Sequence, residues 1–121
     1  MAGIQNTYVN GRADFFRVLG EAQAKTADLL KQDPKYVPFQ SIEVQLDAMW
    51  RWTVNDRTPT PDERKSITIG QVLVRELEPA ASDELYEYMQ KLYELAAYFQ
   101  DWMSDAELAA FDDSDPMTDF D

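Results

Sequence analysis

A long amphipathic stretch, residues 82–103, dominates the pattern of hydrophobic and polar positions along the chain. Its apolar residues recur at alternating spacings of four and three, which is the repeat of one face of an α-helix. A face this broad has to be buried, so the stretch predicts a long helix that packs against the rest of the chain. The face consists of Leu85, Met89, Leu92, Ala96, Phe99 and Met103, widened by Tyr88, Leu95 and Trp102.

The same spacing predicts two further helices upstream. The first begins at Asn10 or Asp14 and ends near Gln32. Pro34 stops it, because proline lacks a backbone N–H and disfavours helical geometry in the residue before it. The second covers residues 38–54. Their apolar faces are Phe15, Leu19, Ala22, Thr26 and Leu29, with Phe16, Ala27 and Leu30 beside them, and Phe39, Ile42, Leu46, Met49 and Thr53.

The second helix carries apolar residues on more than one side. Val44, Trp50, Trp52 and Val54 fall off its main stripe, so the helix is either central in a bundle or partly at an interface. Burying a large side chain stabilises a protein by about 1.5–3 kcal/mol, so we expect most of them in the core.

The segment that leads into the long helix is ambiguous by pattern, since its apolar residues also alternate as in a strand. A lone strand among helices would have no pairing partner, so we predict a short helix over residues 69–77. Thr68 would be its N-cap, with Gln71 as the partner of a capping box. We expect Gly70 to permit close packing against a neighbour, and Ser82 to cap the long helix.

Smaller features complete the expected fold. Thr60 should cap one more helical turn that begins at Pro61, and Gly20 should weaken the first helix by roughly 1 kcal/mol relative to alanine. Glu87 and Lys91 have the spacing of a favourable ion pair on one helix.

A chain of 121 residues is long enough for one core but not two, so we predict a single all-α domain, a bundle of four to five helices. Residues 1–10 are expected to be a frayed N-terminus in which Ile4, Tyr8 and Val9 could pack locally, and residues 112–121 a disordered acidic tail. The sequence shows neither a signal peptide nor a membrane-spanning window, which favours a cytoplasmic location.

The net charge of −12 is unevenly placed. Residues 1–75 hold 10 basic and 9 acidic side chains, whereas residues 76–121 hold 14 acidic ones and only Lys91. Nucleic acid and anionic membranes would be repelled, and a basic protein surface is the natural complement. Acidity that only keeps the protein in solution is the alternative explanation.

The residue types leave little room for catalysis. The absence of His and Cys removes the commonest general base, thiolate nucleophiles and the usual zinc ligands. The four glycines are scattered and form no phosphate loop, and the acidic tail lacks the glycine and closing glutamate of a calcium loop. We therefore predict a protein that is not an enzyme, with no catalytic, cofactor-binding or metal-binding residues.

Several local motifs, taken in chain order, resemble a known family. They are Pro34-Lys35-Tyr36, then Ser41 with Gln45-Leu46, then the run I-T-I-G-Q-V-L-V-R-E-L-E over residues 67–78, followed by a tyrosine-bearing helix over residues 83–99. This order, over about half of the chain, resembles the small immunity proteins paired with type VI secretion effectors that hydrolyse NAD and NADP. The chain departs from that pattern in a longer N-terminal lead and in the helix and acidic tail beyond residue 100.

The resemblance implies an all-helical protein that binds a toxin domain in the cytoplasm and blocks its nucleotide-binding cleft. Exposed acidic residues would meet basic groups of the cleft, and aromatic residues would hold the complex. Tyr86 and Tyr93 could instead only flank the core. The oligomeric state stays open. The expected toxin-binding residues are Tyr36, Trp52, Glu76, Glu78, Asp83, Glu84, Tyr86, Glu87 and Tyr93.

Two other classes of function are open at this stage. An acidic adaptor or nucleic-acid mimic would occupy a basic partner with its C-terminal third, and deleting residues 105–121 would then abolish its activity. An immunity protein built on residues 66–103 would largely survive that deletion. A small enzyme or metal-dependent domain is disfavoured by the absence of His and Cys.

Overall fold

A computed structural model describes residues 7–77 and 82–103, and every regular element within these residues is helical. The all-α prediction is therefore confirmed, and the predicted helix boundaries agree to within a few residues. The elements are α1 (Arg12–Gln32), α2 (Val37–Thr53), a 3-10 turn (Val54–Asp56), α3 (Pro61–Lys65), α4 (Ile69–Val72), a π turn that continues α4 (Leu73–Leu77), and α5 (Asp83–Gln100).

The core lies between α1, α2 and α5, with α4 packed against both α2 and α5. The stripes predicted from periodicity are the buried faces of these helices, with the exception of Ala27, which is exposed. Each large side chain removed from water stabilises the fold by about 1.5–3 kcal/mol. The largest fully buried residues include Phe15, Leu19, Ile42, Leu46, Met49, Ile69, Leu73, Leu92, Leu95 and Phe99.

A buried carboxylate on α5 fixes the N-terminal segment. Glu94 is only 3% exposed, and its two oxygens accept the backbone N–H groups of Thr7 at 3.1 Å, Tyr8 at 2.6 Å and Val9 at 2.9 Å. The side-chain amide of Gln90 donates a fourth hydrogen bond at 2.8 Å. Burial raises the pKa of Glu94, but the hydrogen bonds from Gln90 and the three amides outweigh it, and the net shift is downward.

Residues 7–9 therefore differ from the frayed N-terminus expected over residues 1–10. Val9 is fully buried, and the backbone N–H groups of Thr7, Tyr8 and Val9 all donate to the carboxylate of Glu94. A glutamate inside a helix gives no indication by pattern that it faces inward. Residues 1–6, including Ile4, lie outside the described part of the chain.

The C-terminal end of α5 is held by α3. Arg64 donates to the carbonyl oxygens of Gln100 at 2.7 Å and Trp102 at 2.8 Å, and the Gln100 side chain returns a hydrogen bond to the Arg64 carbonyl at 2.7 Å. A guanidinium at this position satisfies helix-end carbonyls and complements the negative end of the helix dipole. The helix consequently ends before Met103, where periodicity had extended it. The tail expected over residues 112–121 lies outside the described residues.

Three predicted caps have different outcomes. Thr60 and Glu63 form a capping box, with N–H to oxygen distances of 3.1 Å and 3.0 Å, so that prediction is confirmed. Thr68 and Ser82 occupy N-cap positions, but neither side chain makes a capping hydrogen bond. The capping box predicted between Thr68 and Gln71 is therefore wrong, because Thr68 has a partner elsewhere in the fold.

Helix α2 buries one apolar face and leaves other apolar residues exposed. Trp52 is half-buried and packs against Phe99, with ring centroids 6.3 Å apart, whereas Val44 is 64% and Trp50 45% exposed. The core explanation holds for Trp52 but not for Val44 and Trp50.

A buried hydroxyl pair links α1 to α5. The hydroxyl oxygens of Thr26 and Tyr88 lie 2.7 Å apart, and Thr26 also donates to the Ala22 carbonyl at 2.7 Å. Burial raises the pKa of Tyr88 to about 12, although the hydrogen bond with Thr26 acts in the opposite direction. The pair satisfies two polar groups inside an otherwise apolar contact.

Candidate partner-binding surface

The start of α4 is braced from α2 by one glutamine. The Gln45 side chain accepts the Thr68 backbone N–H at 2.6 Å and donates to the Thr68 hydroxyl at 3.2 Å and to the Ser41 hydroxyl at 3.1 Å. Gln45 thus satisfies the helix-start amide for which a capping box had been predicted. Ser41, Gln45 and Thr68, which belong to the motifs of the family resemblance, meet in one hydrogen-bond network.

The far end of the same segment is attached to α2 by a tyrosine. The Tyr36 hydroxyl donates to the Glu76 carbonyl at 3.3 Å, and its ring packs edge-on against Phe39 at 4.8 Å. Between the two attachment points the chain passes from α4 into the π turn. Such turns are rare and are found frequently at functional sites. The segment over residues 69–77 is therefore held at both ends, with its inner side chains Ile69, Leu73 and Leu77 buried.

The outer face of this segment forms an open groove with α5. It has a volume of about 630 Å³ and is called here the Gly70 groove. A Cβ atom built on Gly70 would meet no atom within 4 Å, and Val74, one turn later, is 54% exposed. The prediction that Gly70 serves close packing is wrong, because the residue faces this open space. The groove is lined by Gly70, Gln71, Val74, Arg75 and Tyr93.

The two tyrosines predicted to contact a partner lie along one side of α5. Tyr93 is half-buried, packs against the core and forms a wall of the Gly70 groove, whereas Tyr86 is 70% exposed. They are seven residues apart, which corresponds to two helical turns, or about 10 Å. Tyr93 thus flanks the core and also lines the groove, and Tyr86 is a large aromatic side chain left in water.

Carboxylates accompany the aromatic residues. Glu76, Asp83 and Glu87 are exposed. Glu87 forms the predicted ion pair with Lys91 at 3.0 Å, and Lys91 also pairs with Glu21 of α1 at 3.2 Å. The lysine is therefore engaged between two carboxylates, and it leaves the local charge negative.

The remaining candidate residues do not all reach this surface. Trp52 packs against Phe99 in the last turn of α5, whereas Tyr86 lies in the first turn, about 20 Å away at 1.5 Å per residue. Trp52 is not among the residues that line the Gly70 groove. Glu78 and the side chain of Glu84 lie outside the described part of the molecule.

The groove is suited to contact rather than to chemistry. It offers one guanidinium, one amide, an aromatic ring and an exposed valine, a mixture typical of protein interfaces. Among residues 7–77 and 82–103, no group of three or more acidic side chains is placed to hold a metal ion. In the same residues, no helix is long and apolar enough to span a membrane.

The helical fold and the braced, exposed groove describe a small helical domain with a candidate contact surface. Its family follows from a sequence comparison: the model of the Tsi6 family, a family of type VI secretion immunity proteins, matches residues 16–101. The match covers well over half of the chain, and the protein belongs to this family. The predicted resemblance to type VI immunity proteins is thereby confirmed. No curated protein and no solved structure gives a significant match.

Proposed function

We propose that the protein is a stoichiometric inhibitor of a toxin domain delivered by type VI secretion, and that this toxin degrades NAD or NADP. The inhibitor acts in the cytoplasm, where it covers the nucleotide-binding cleft of the toxin. The observation that carries the proposal is the exposed face formed by α4, the π turn and α5. This face contains the run with the strongest resemblance to immunity proteins paired with NAD(P)-hydrolysing effectors, and it is braced by the family-motif residues Tyr36 and Gln45.

Electrostatics supports a partner with a basic cleft. A site that holds dinucleotide phosphates presents cationic or N–H groups to them, and the exposed carboxylates of Glu76, Asp83 and Glu87 are suitable competitors. The net charge of −12 adds long-range attraction, which raises the association rate and makes it depend on ionic strength.

Aromatic burial supports a long-lived complex. Tyrosine is enriched among the residues that dominate binding energies, and truncating such a residue commonly costs about 2 kcal/mol or more. Tyr86 already stands in water at 70% exposure, so a partner can cover its ring without unfolding any part of α5. The carboxylates are thus expected to govern association, and Tyr86 to govern dissociation.

An acidic adaptor or nucleic-acid mimic is the second candidate, supported by the 14 acidic residues within residues 76–121. Deleting residues 105–121 separates the two functions. An adaptor that uses the tail loses its partner, whereas the toxin inhibitor retains at least most of its affinity.

The first function is tested by titration. The probe is a purified NAD(P)-hydrolysing toxin domain of a type VI secretion effector, sought first in the genes that neighbour the one for this protein, and the readout is its hydrolysis of NAD and NADP. We expect turnover to fall linearly to zero at a 1:1 molar ratio. Undiminished hydrolysis in excess inhibitor would refute the proposal.

A charge-matched pair of variants tests the acidic surface. Neutralising Glu76, Asp83 and Glu87 should lower the association rate several-fold and flatten its salt dependence. The control neutralises Asp28, Glu43 and Asp47, which are exposed on α1 and α2. This changes the net charge by the same amount. Equal effects of the two variants would mean that only net charge matters and that the carboxylates of Glu76, Asp83 and Glu87 have no local role.

A further inference from the structure

We propose that the Gly70 groove is the socket for a single apolar side chain of the toxin, followed by a hydrogen-bond acceptor that pairs with Arg75. This proposal rests on the proposed function and assigns it a specific contact. The toxin segment projects from an otherwise basic surface, so that its neighbouring cations face the exposed carboxylate of Glu76, which follows Arg75 in the chain. The occupant is thus defined by an apolar anchor, an adjacent acceptor and a basic rim.

The floor of the groove is apolar and open. Gly70 contributes no side chain, and apart from its chain neighbours and its own helix backbone nothing lies within 4 Å of the position that its Cβ would occupy. Val74 is an exposed apolar residue at 54%, beside the half-buried ring of Tyr93. An apolar side chain inserted here would remove the exposed surface of both residues from water, which is the main source of affinity at the centre of an interface.

Arg75 at the edge of the groove requires a hydrogen-bond acceptor on the partner. Arg75 lines the groove, is exposed, and makes no ion pair or hydrogen bond with the described residues. A guanidinium carries five N–H donors and no acceptor, so its complement is a carbonyl or carboxylate oxygen. Such an oxygen next to the anchor would fix the direction in which the toxin segment crosses the groove.

The groove exists before the partner arrives. Gln45 holds the Thr68 amide at 2.6 Å, and Tyr36 holds the Glu76 carbonyl at 3.3 Å. The backbone that carries Gly70 and Val74 lies between these two attachments. Little conformational entropy has to be lost on binding, because the receiving surface is already ordered.

Charge decides between the two kinds of protein that could occupy an apolar groove. A second copy of this chain would also carry a net charge of −12, and two such molecules repel each other. A basic toxin surface is attracted instead. The groove is therefore assigned to the toxin rather than to self-association.

Two glycines provide a matched test. Gly70→Trp fills the groove, and Gly20→Trp places the same side chain on α1, where a Cβ likewise meets nothing within 4 Å. Both sites are helical, so both variants should fold, which circular dichroism and urea unfolding check. The probe is a catalytically inactivated form of the toxin domain that the wild-type protein inhibits in the titration above. We expect Gly70→Trp to raise its Kd at least tenfold and Gly20→Trp to leave it within twofold.

A second pair keeps the proposal testable if tryptophan disturbs α4. Val74→Asn replaces the exposed apolar contact, and Val44→Asn does the same on α2, where Val44 is 64% exposed. Only the first should weaken binding, by about tenfold. Unchanged Kd values for both groove variants would overturn the socket while leaving inhibition by the wild-type protein intact. A wild-type protein that neither binds nor inhibits the toxin would instead refute the proposed function.

Discussion

Replacing Glu94 with glutamine tests how strongly the N-terminal segment is attached to α5. The substitution keeps the size of the side chain and removes its charge, in a site that is 3% exposed. The carboxylate accepts hydrogen bonds from Thr7, Tyr8, Val9 and Gln90. An amide has one acceptor oxygen, and its NH2 group would face donors at the other position.

The magnitude follows from these four contacts. A hydrogen bond to a charged group contributes about 1.5–3 kcal/mol and a neutral one about 0.5–1.5 kcal/mol. The amide oxygen can keep the bonds at Oε1, from Tyr8 at 2.6 Å and Val9 at 2.9 Å, in the weaker neutral form. Gln90 can rotate its own amide to accept, but the backbone N–H of Thr7 cannot. The lost Thr7 bond and the weakening of the two bonds at Oε1 together should lower the free energy of unfolding of Glu94→Gln by about 3.5–6 kcal/mol at pH 7.

The difference should depend on pH in a defined direction. Glu94 has a folded-state pKa below the ordinary value of 4.5, so its contribution is present above that value and is lost as the pH falls through the lower folded-state pKa. Once protonated, the glutamic acid resembles the glutamine. The gap between wild type and Glu94→Gln should thus be constant from about pH 7 to pH 5 and shrink below about pH 4.5.

Urea unfolding at several pH values measures both quantities. Glu87→Gln is the control on the same helix, because Glu87 is exposed and its ion pair with Lys91 contributes only a few tenths of a kcal/mol. A loss below about 0.5 kcal/mol for Glu94→Gln would refute the assigned role, since two charge-assisted bonds alone exceed it. The assigned role would also be refuted if the difference in unfolding free energy between wild type and Glu94→Gln stayed the same at neutral and acidic pH.

Three further substitutions probe other features. Gly20→Ala should stabilise the protein by about 0.5–1 kcal/mol in urea unfolding, because the site is an exposed helix interior with nothing within 4 Å of the new Cβ; a loss of stability would contradict this. Gln45→Ala should cost about 1–3 kcal/mol by removing the acceptor of the Thr68 amide, and should also weaken toxin binding; unaltered affinity would show that the groove does not need its brace. Tyr88→Phe should cost about 0.5–1.5 kcal/mol and remove the tyrosine that ionises near pH 12 in an alkaline absorbance titration; an unchanged titration would refute its burial with Thr26.

Helices were predictable from the sequence because burial repeats with the period of the helix. Phe15 and Leu19 on α1, or Leu92 and Phe99 on α5, are apolar at the positions that face the core. The inward glutamate at position 94 was not predictable in this way, because its partners are backbone amides 85 to 87 residues earlier in the chain. Local periodicity carries no information about such contacts.

The candidate surface was predictable in part. Tyr86, Asp83 and Glu87 are exposed as expected, since their spacing on α5 places them off the buried stripe. Gly70 was misassigned because a glycine in a short apolar helix looks the same by sequence whether it faces a neighbour or solvent. The cap at Thr68 was misassigned because its true partner, Gln45, is 23 residues away.

The family motifs nevertheless contained the missing information. Ser41, Gln45 and Thr68 stood in separate motifs of the resemblance, and the structure joins them in one network at the head of α4. Residues that look unrelated in the sequence can thus belong to one structural element. Trp52 belongs to none of these motifs, and it packs at the edge of the core.

The hydrogen bonds between Glu94 and residues 7–9 also determine when the molecule can be completed during synthesis. A ribosome delivers the chain from its N-terminus at about 5–20 residues per second, so α1 and α2 emerge and can pair first. Val9 and its neighbouring amides must wait until Glu94 has left the exit tunnel, and the Gly70 groove likewise lacks a wall until Tyr93 has done so. A nascent chain that stops before α5 would therefore lack both the carboxylate that holds residues 7–9 and one wall of the Gly70 groove.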